Sequence, residues 1–175
     1  MRVCSLQIEQ ERNKYPTQQI VGFRFTGMRV PLSSGGVKEH GRAFGYALTQ
    51  ETLGNAFAEY LHDGERLRLE LIPPLLQRLK AIRAYFTEQS EFRFYGSSLL
   101  FVYESDSKGR TGQTPSVDVR MIDFAHVWPI QGSEVSGGRR SDRDSGYLLG
   151  LDSIIGYLVA LSADSARQVE ANCDT

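Results

Sequence analysis

The residues whose types and spacing best suit chemistry lie in Val119–His126, which reads VRMIDFAH. Asp123 follows an apolar run that predicts a strand, and a carboxylate at the end of a strand is a rigid support for a divalent cation. Such a cation neutralises phosphate charge when a phosphoryl group is transferred. Because Asp is also common where strands end, Asp123 taken alone is more often structural than functional.

Polar side chains that could join this carboxylate come before it and after it in the sequence. Ser97 and Ser98 open the preceding apolar run, so a hairpin would bring a hydroxyl near Asp123, where it could help to order a metal ion or its water. His126 lies three residues after Asp123 and could donate a hydrogen bond to a substrate phosphate. The alternatives are an ordinary loop-to-strand junction for the serines and a structural hydrogen bond for the histidine.

A third set of polar residues lies near the N-terminus. Lys14, Gln10 and Gln7 are separated by four and three residues, so a helix would place them on one face. That face could bind phosphates and hydroxyls, although a solvated face is the more common explanation. The sequence contains no Walker A loop, dinucleotide fingerprint, serine-hydrolase motif or zinc-ligand spacing.

Hydrophobic periodicity and turn residues predict the elements that must position these groups. The predictions are a polar helix over Val3–Tyr15, a half-buried strand over Ile20–Val30, a loop over Pro31–Gly41, a helix capped by Thr49 and stopped by Gly64, a helix begun by Pro73 and Pro74, hairpin strands over Ser97–Glu104 and Val117–Val127, and a helix capped by Asp144 or Ser145. After Ser162 the pattern weakens.

Composition bounds the class of protein. The 175 residues carry a formal net charge of -1, which argues against a strongly electrostatic nucleic-acid binder. Cys4 and Cys173 have neither metal-ligand nor disulfide spacing, so we expect a reducing compartment, cytoplasm or nucleus. No apolar run reaches the roughly 18 residues of a membrane span, so no transmembrane segment is expected.

Taken in order, five segments resemble the inositol polyphosphate kinases. They read KYPTQQIVGFRFTGMRV, FGYALTQET, RFYGSSLLFVYE, VDVRMIDFAHVWP and DSGYLLGLDSIIGYL. The DFAH form and the KYP helix that leads into GFRFTGM look most like the multikinase branch, although hexakisphosphate kinases also use DFAH. The chain departs from the family at Gly45–Thr49, where G-R-x-L-T is usual, and at Pro31, which follows Val30.

The resemblance implies an α+β fold, namely the C-terminal lobe of a protein-kinase-like (ATP-grasp or SAICAR-synthase-like) kinase with an antiparallel sheet flanked by helices. Residues 1–165 would form this lobe and residues 166–175 a frayed tail. The implied activity is ATP-dependent phosphorylation of inositol phosphates with Mg²⁺ or Mn²⁺. Inositol phosphates and ATP would be its partners, with no nucleic acid and with peripheral contact to inositide lipids.

The resemblance also assigns roles to particular residues. It implies metal binding by Asp123 and Ser98, and substrate binding by Lys14, Gln10, Gln7 and His126. The family's P-x-x-x-D-x-K-x-G motif and its ATP-covering lobe would lie before Met1, which would then leave Val21, Phe23 and Phe25 exposed. We therefore expect no measurable turnover from the 175-residue chain. The alternative is an inactive remnant that binds inositol phosphates or a protein partner.

Overall fold

The computed structural model describes residues 15–105, 115–130 and 143–173 of the chain. The helix predicted over Val3–Tyr15 therefore lies almost wholly outside the described residues. The chain divides into two compact units, of which the first comprises Met1–Leu69 and Gly156–Thr175 and the second comprises Glu70–Ile155.

Helices and short antiparallel ladders alternate along the described residues. The helices are α1 (Thr17–Val21), α2 (Arg42–Ala47), α3 (Leu53–Tyr60), α4 (Ile72–Glu88) and α5 (Ser145–Cys173), with a 3₁₀ turn at Leu69–Leu71. The strands are β1 (Met28–Pro31), β2 (Val37–His40), β3 (Phe92–Phe94), β4 (Ser98–Tyr103), β5 (Val117–Ile122) and β6 (Val127–Pro129). They pair as β1–β2, β3–β6 and β4–β5. The α+β class is confirmed, with three two-stranded ladders in place of one central sheet.

In the first unit, the strand predicted over Ile20–Val30 is wrong for most of its length. Gly22 adopts φ 77° and ends α1, and the chain becomes a strand only at β1. The alternating rings of Phe23 and Phe25 pack on Phe57 of α3, with ring centroids 6.0 and 5.0 Å away. A helix rather than a neighbouring strand covers these rings, which explains why their alternation produced no sheet.

The core of the first unit includes the side chains that were expected to be exposed. Its members are Val21, Leu48, Leu53 and Ala56, with Phe23, Phe25, Phe44 and Tyr157 packed against them. The expectation of an exposed surface is therefore wrong for Val21, which is only 3% exposed, whereas Phe23 and Phe25 are partly buried.

The loop predicted over Pro31–Gly41 contains strand β2, so the loop prediction is wrong for these four residues. Gly35 and Gly36 adopt φ 91° and 90°, values that suit a tight hairpin turn. The turn brings β2 back antiparallel to β1, with Arg29 opposite Glu39. These two side chains form an exposed ion pair at 2.7 Å.

Glu59 of α3 fixes this hairpin to the helix. Its Oε1 lies 2.9 Å from Nε2 of His40 and also pairs with the Lys38 ammonium group. The hydrogen bond from Lys38 is the main cause that lowers the pKa of Glu59, and His40 lowers it further. The hairpin and the helix are therefore joined by a charged contact.

The predicted cap of the next helix lies a few residues too early. Thr49 begins a turn, and Thr52, whose hydroxyl accepts the Thr49 N–H at 2.8 Å, directly precedes α3. The predicted apolar stripe is confirmed at Leu53 and Phe57, which are buried. Helix α2, between β2 and this turn, was not predicted.

The second unit follows the predictions more closely. Pro73 and Pro74 lie in the first turn of α4, as predicted. Helix α4 packs on β5, and its buried side chains are Ile72, Leu75, Leu79 and Phe86. Strands β4 and β5 form the predicted hairpin in register from Ser98 with Ile122 to Tyr103 with Val117. The end of the second predicted strand separates as β6, which pairs with the unpredicted β3.

Helix α5 begins directly after Asp144, as predicted, and runs to Cys173. Leu151, Ile154 and Leu158 are buried along it. Its Ser145–Ser165 segment, with mean hydropathy 1.5, is long and apolar enough to cross a membrane, contrary to the expectation from the sequence. The core helix of a globular protein can have the same length and composition, so this one helix is weak evidence for a span.

Candidate functional site

The best candidate site is an interruption between two ladders, which we call the Asp123 corner (residues Tyr95–Ser97 and Asp123–His126). The β4–β5 ladder ends at the pair Ser98–Ile122, and the β3–β6 ladder starts at the pair Phe94–Val127. Three residues on one strand therefore face four on the other. Paired strands on both sides hold the corner in place.

Asp123 occupies a strained backbone position in this corner. Its φ is 62°, and it is the single non-glycine residue with positive φ among the residues that the structure describes. The Ser97 hydroxyl donates a 2.8 Å hydrogen bond to the Asp123 carbonyl oxygen. Left-handed backbone costs an ordinary L-residue about 1–2 kcal/mol, and such strain concentrates at functional sites. The conformation turns the chain sharply at the end of β5.

The Asp123 carboxylate is available for a ligand. The residue is exposed, and within the described residues its Oδ1 accepts a long hydrogen bond, 3.4 Å, from the Ala125 N–H. No cationic side chain in the described ranges pairs with it. The same ranges contain no cluster of three or more His, Cys, Asp or Glu residues able to enclose a metal ion. A cation here would complete its coordination with phosphate oxygens and water, as Mg²⁺ commonly does.

The structure distinguishes the two serines of the SS doublet. Ser98, predicted as a metal ligand, lies half-buried in the β4–β5 ladder opposite Ile122. In the described structure it is Ser97, one residue earlier, whose hydroxyl contacts Asp123. The sequence placed both serines at the start of this strand, and the bond from Ser97 reaches the backbone oxygen of Asp123 rather than its carboxylate. The metal-binding role of Ser98 stays a prediction.

His126 lies in the same turn as Asp123, so the structure brings these two predicted residues together. Its backbone oxygen accepts the Tyr95 N–H at 3.0 Å, and its side chain is exposed. The imidazole is therefore accessible to a ligand from solvent. The three predicted substrate-binding residues near the N-terminus, Lys14, Gln10 and Gln7, lie outside the described residues.

An aromatic cluster packs against the ring of Phe124 in the corner. Phe94 packs its ring edge-on against Phe124, with centroids 6.2 Å apart, and against Phe86 at 5.2 Å. Phe86 in turn stacks on Tyr147 at 4.1 Å. Burial raises the pKa of Tyr147 to about 12, and the nearby Asp144 charge adds to the shift. Phe124, although 54% exposed, is therefore anchored on one side.

Asp144 is a polar member of this region whose full role the sequence did not reveal. Its Oδ1 accepts the Tyr147 N–H at 3.0 Å, which is the predicted helix cap. Its Oδ2 accepts the Phe94 N–H at 2.7 Å, a contact between residues 50 positions apart. A cap signal in the sequence predicts the first bond, but no local pattern predicts the second.

Known proteins share both the sequence pattern and the fold. Residues 5–159 match the family model for inositol polyphosphate kinase. The chain is 38% identical to mouse inositol hexakisphosphate kinase 3 over 153 residues, which cover 81% of the chain and 38% of that protein. It is also 38% identical to mouse inositol polyphosphate multikinase over 108 residues, which cover 61% of the chain and 27% of that protein. The chain thus spans less than half the length of these relatives.

A solved structure shares the fold at low sequence identity. It is the inositol phosphate multikinase of S. cerevisiae in complex with ADP and Mn²⁺, which aligns with a TM-score of 0.62 at 19% identity. The alignment covers 82% of this chain and 65% of the yeast chain. The resemblance first seen in the five sequence segments is thereby confirmed, and the chain belongs to the inositol polyphosphate kinase family.

Proposed function

We propose that these residues form the metal- and substrate-binding part of an ATP-dependent kinase that phosphorylates inositol phosphates. The observation that carries the proposal is the Asp123 carboxylate, which is exposed, without a cationic partner in the described structure, and held on a strained turn. Family membership supplies the reaction class, and the corner supplies a fixed anionic oxygen.

The chemistry of phosphoryl transfer suits this arrangement. The transition state spreads charge over phosphoryl oxygens, so catalysis depends on positioning and on neutralising that charge. A divalent cation supplies the neutralising charge when it is bound. Asp123 would hold it, and the Ser98 hydroxyl could order a water molecule next to it. The ADP and Mn²⁺ bound by the yeast relative support Mg²⁺ or Mn²⁺ and ATP as cofactors.

The proposed substrate contacts follow from the ligand's charge. Inositol phosphates carry several phosphate groups, which require hydrogen-bond donors and cations. The accessible imidazole of His126 supplies a donor in the same turn as Asp123. Lys14 would supply a cation, and Gln10 and Gln7 would supply amide groups for hydroxyls and phosphates.

The most direct experiment combines metal binding with turnover. We expect wild-type protein to bind Mn²⁺ in the presence of ADP, as measured by the loss of the free Mn²⁺ signal in electron paramagnetic resonance. Asp123→Asn keeps the size and polarity of the side chain but removes its charge, so Mn²⁺ binding should fall at least tenfold. Wild-type Mn²⁺ affinity in Asp123→Asn would refute the metal role of this residue.

Turnover then separates the kinase from an inactive binding remnant and defines the substrate. A kinase should release ADP from ATP in the presence of inositol phosphates, whereas an inactive binding remnant should not. Inositol trisphosphate offers free hydroxyls, whereas the hexakisphosphate offers only phosphates as acceptors. Comparison of the two substrates therefore distinguishes the multikinase from the hexakisphosphate kinase branch. Inositol phosphate binding without ADP release would support the remnant.

We also propose that the protein acts in the cytoplasm and nucleus and contacts inositide lipids peripherally. The positions of Cys4 and Cys173 support a reducing compartment, and lipid headgroups share the phosphate chemistry of the soluble substrates. Imaging of a fluorescent fusion and sedimentation with inositide-containing vesicles would test these two points.

A further inference from the structure

A buried carboxylate connects two distant parts of the second unit. Asp144 is 7% exposed and precedes α5. One oxygen caps the helix through the Tyr147 N–H, and the other accepts the Phe94 N–H of β3 at 2.7 Å. A single side chain therefore joins the first turn of α5 to the strand that borders the Asp123 corner.

This arrangement exceeds the needs of a helix cap. Ser and Asn cap helices about as well as Asp does, and a cap needs only one acceptor oxygen. Burying a carboxylate carries a desolvation cost, which is offset only when both oxygens accept hydrogen bonds. The second oxygen of Asp144 makes a short, charge-assisted bond to a strand backbone, so the bond to Phe94 accounts for the choice of Asp.

Contacts lead from β3 directly to the corner. Phe94 pairs with Val127, the first residue after the corner, and its ring packs against Phe124. The next residue, Tyr95, donates its N–H to the His126 oxygen at 3.0 Å. Strand β3 has only three residues, and so short a ladder is weak without a further attachment. The Asp144 bond supplies that attachment.

We propose that Asp144 is a positioning residue for the metal site, acting through β3 to hold Asp123 and His126 in their observed turn. The inference rests on the proposed metal role of Asp123. Groups that orient a metal ligand commonly change metal affinity by about 10- to 100-fold when they are removed. Loss of the hydrogen bond to Phe94 should therefore weaken Mn²⁺ binding roughly tenfold, which is the lower end of that range.

Two substitutions separate the two bonds of this carboxylate. Asp144→Ser keeps a helix cap but is too short to reach the Phe94 N–H as well. Asp144→Asn keeps the side-chain length with one acceptor oxygen and should give a smaller effect. Ile154→Val serves as the control, because Ile154 is buried in the same helix and is absent from the corner contacts. It should lower stability without changing the metal site.

Hydrogen exchange and Mn²⁺ titration provide independent readouts. In Asp144→Ser, peptides covering residues 92–97 and 122–127 should exchange several-fold faster, and the Mn²⁺ dissociation constant with ADP should rise about tenfold. In Ile154→Val, both quantities should match wild type. Exchange and Mn²⁺ affinity at wild-type values in Asp144→Ser would overturn the positioning role. If Mn²⁺ affinity instead survives in Asp123→Asn, the proposed metal site itself fails, whatever the Asp144 variants show.

Discussion

Substitutions of Asp123 should change protein stability and Mn²⁺ affinity independently, because the backbone conformation at this position determines the effect on stability. The side chain is exposed, and among the described residues its carboxylate accepts one long hydrogen bond, 3.4 Å from the Ala125 N–H, so its removal should cost little stability. The backbone, in contrast, has φ 62°, which is costly for most L-residues. The effect on stability should therefore depend on how well each new residue tolerates positive φ.

The magnitudes follow from that conformation. Asp123→Ala places an ordinary Cβ in left-handed backbone without a local hydrogen bond, so the free energy of unfolding should fall by about 1 kcal/mol. Asp123→Asn tolerates this conformation and should remain within about 0.5 kcal/mol of wild type. Asp123→Gly removes the steric cost but adds chain entropy to the unfolded state of about 0.4–1 kcal/mol, so it should fall between the other two.

Trp128 allows this prediction to be measured. It is the only tryptophan in the chain and lies two residues beyond the corner in β6. Urea unfolding followed by its fluorescence therefore reports on the unit that contains Asp123. The same samples can be titrated with Mn²⁺ in the presence of ADP, where all three variants should lose at least tenfold in affinity.

Two outcomes would contradict the reasoning. Equal stabilities for the Ala and Asn variants would mean that residue 123 does not adopt positive φ in solution. A Mn²⁺ affinity that followed stability across the three variants would mean that metal binding reports folding rather than the carboxylate.

Three further predictions concern packing and pH. Phe86→Ala empties a fully buried ring site and should lower the free energy of unfolding of the second unit by about 3–5 kcal/mol in urea titrations. Gly45→Ala would place a Cβ 1.8 Å from the backbone carbonyl oxygen of Phe25 and should make the first unit sensitive to protease. Gly156→Ala meets nothing within 4 Å and should stabilise α5 by about 0.5–1 kcal/mol. Equal protease resistance in the two variants would contradict this prediction. The hydrogen bond from Lys38 is the main cause of the lowered pKa of Glu59. The ionised carboxylate should therefore stabilise the fold fully above pH about 4.3, and this stabilisation should disappear as pH falls through the lower pKa of the folded state. Thermal melts of wild type and Glu59→Gln across this pH range test the prediction, and identical pH profiles would contradict it.

The sequence predicted the features of the site that depend on local pattern. Asp123 at the end of an apolar strand, the hairpin before it and the cap at Asp144 are all encoded within a few residues. The roles of Gln7, Gln10 and Lys14 stay predictions, because these residues lie outside the described structure.

The features that the sequence did not predict depend on contacts between distant residues. Strand β3 is too short to show periodicity, and its partner lies more than 30 positions away. The bond from Asp144 to Phe94 crosses 50 positions. Conversely, Phe23 and Phe25 alternate as in a strand, but packing on α3 determines their conformation. Tertiary contacts override local preference in each of these cases.

The unequal strand lengths in the Asp123 corner make the site depend on chain length as well as on residue identity. Three residues face four between the pairs Phe94–Val127 and Ser98–Ile122, so the two ladders are offset by one residue, as in a β-bulge. Deletion of one residue from Asp123–His126 would let a single continuous hairpin form, with no left-handed turn to present the carboxylate. A relative shorter by one residue here would therefore lose this turn even if it kept the aspartate.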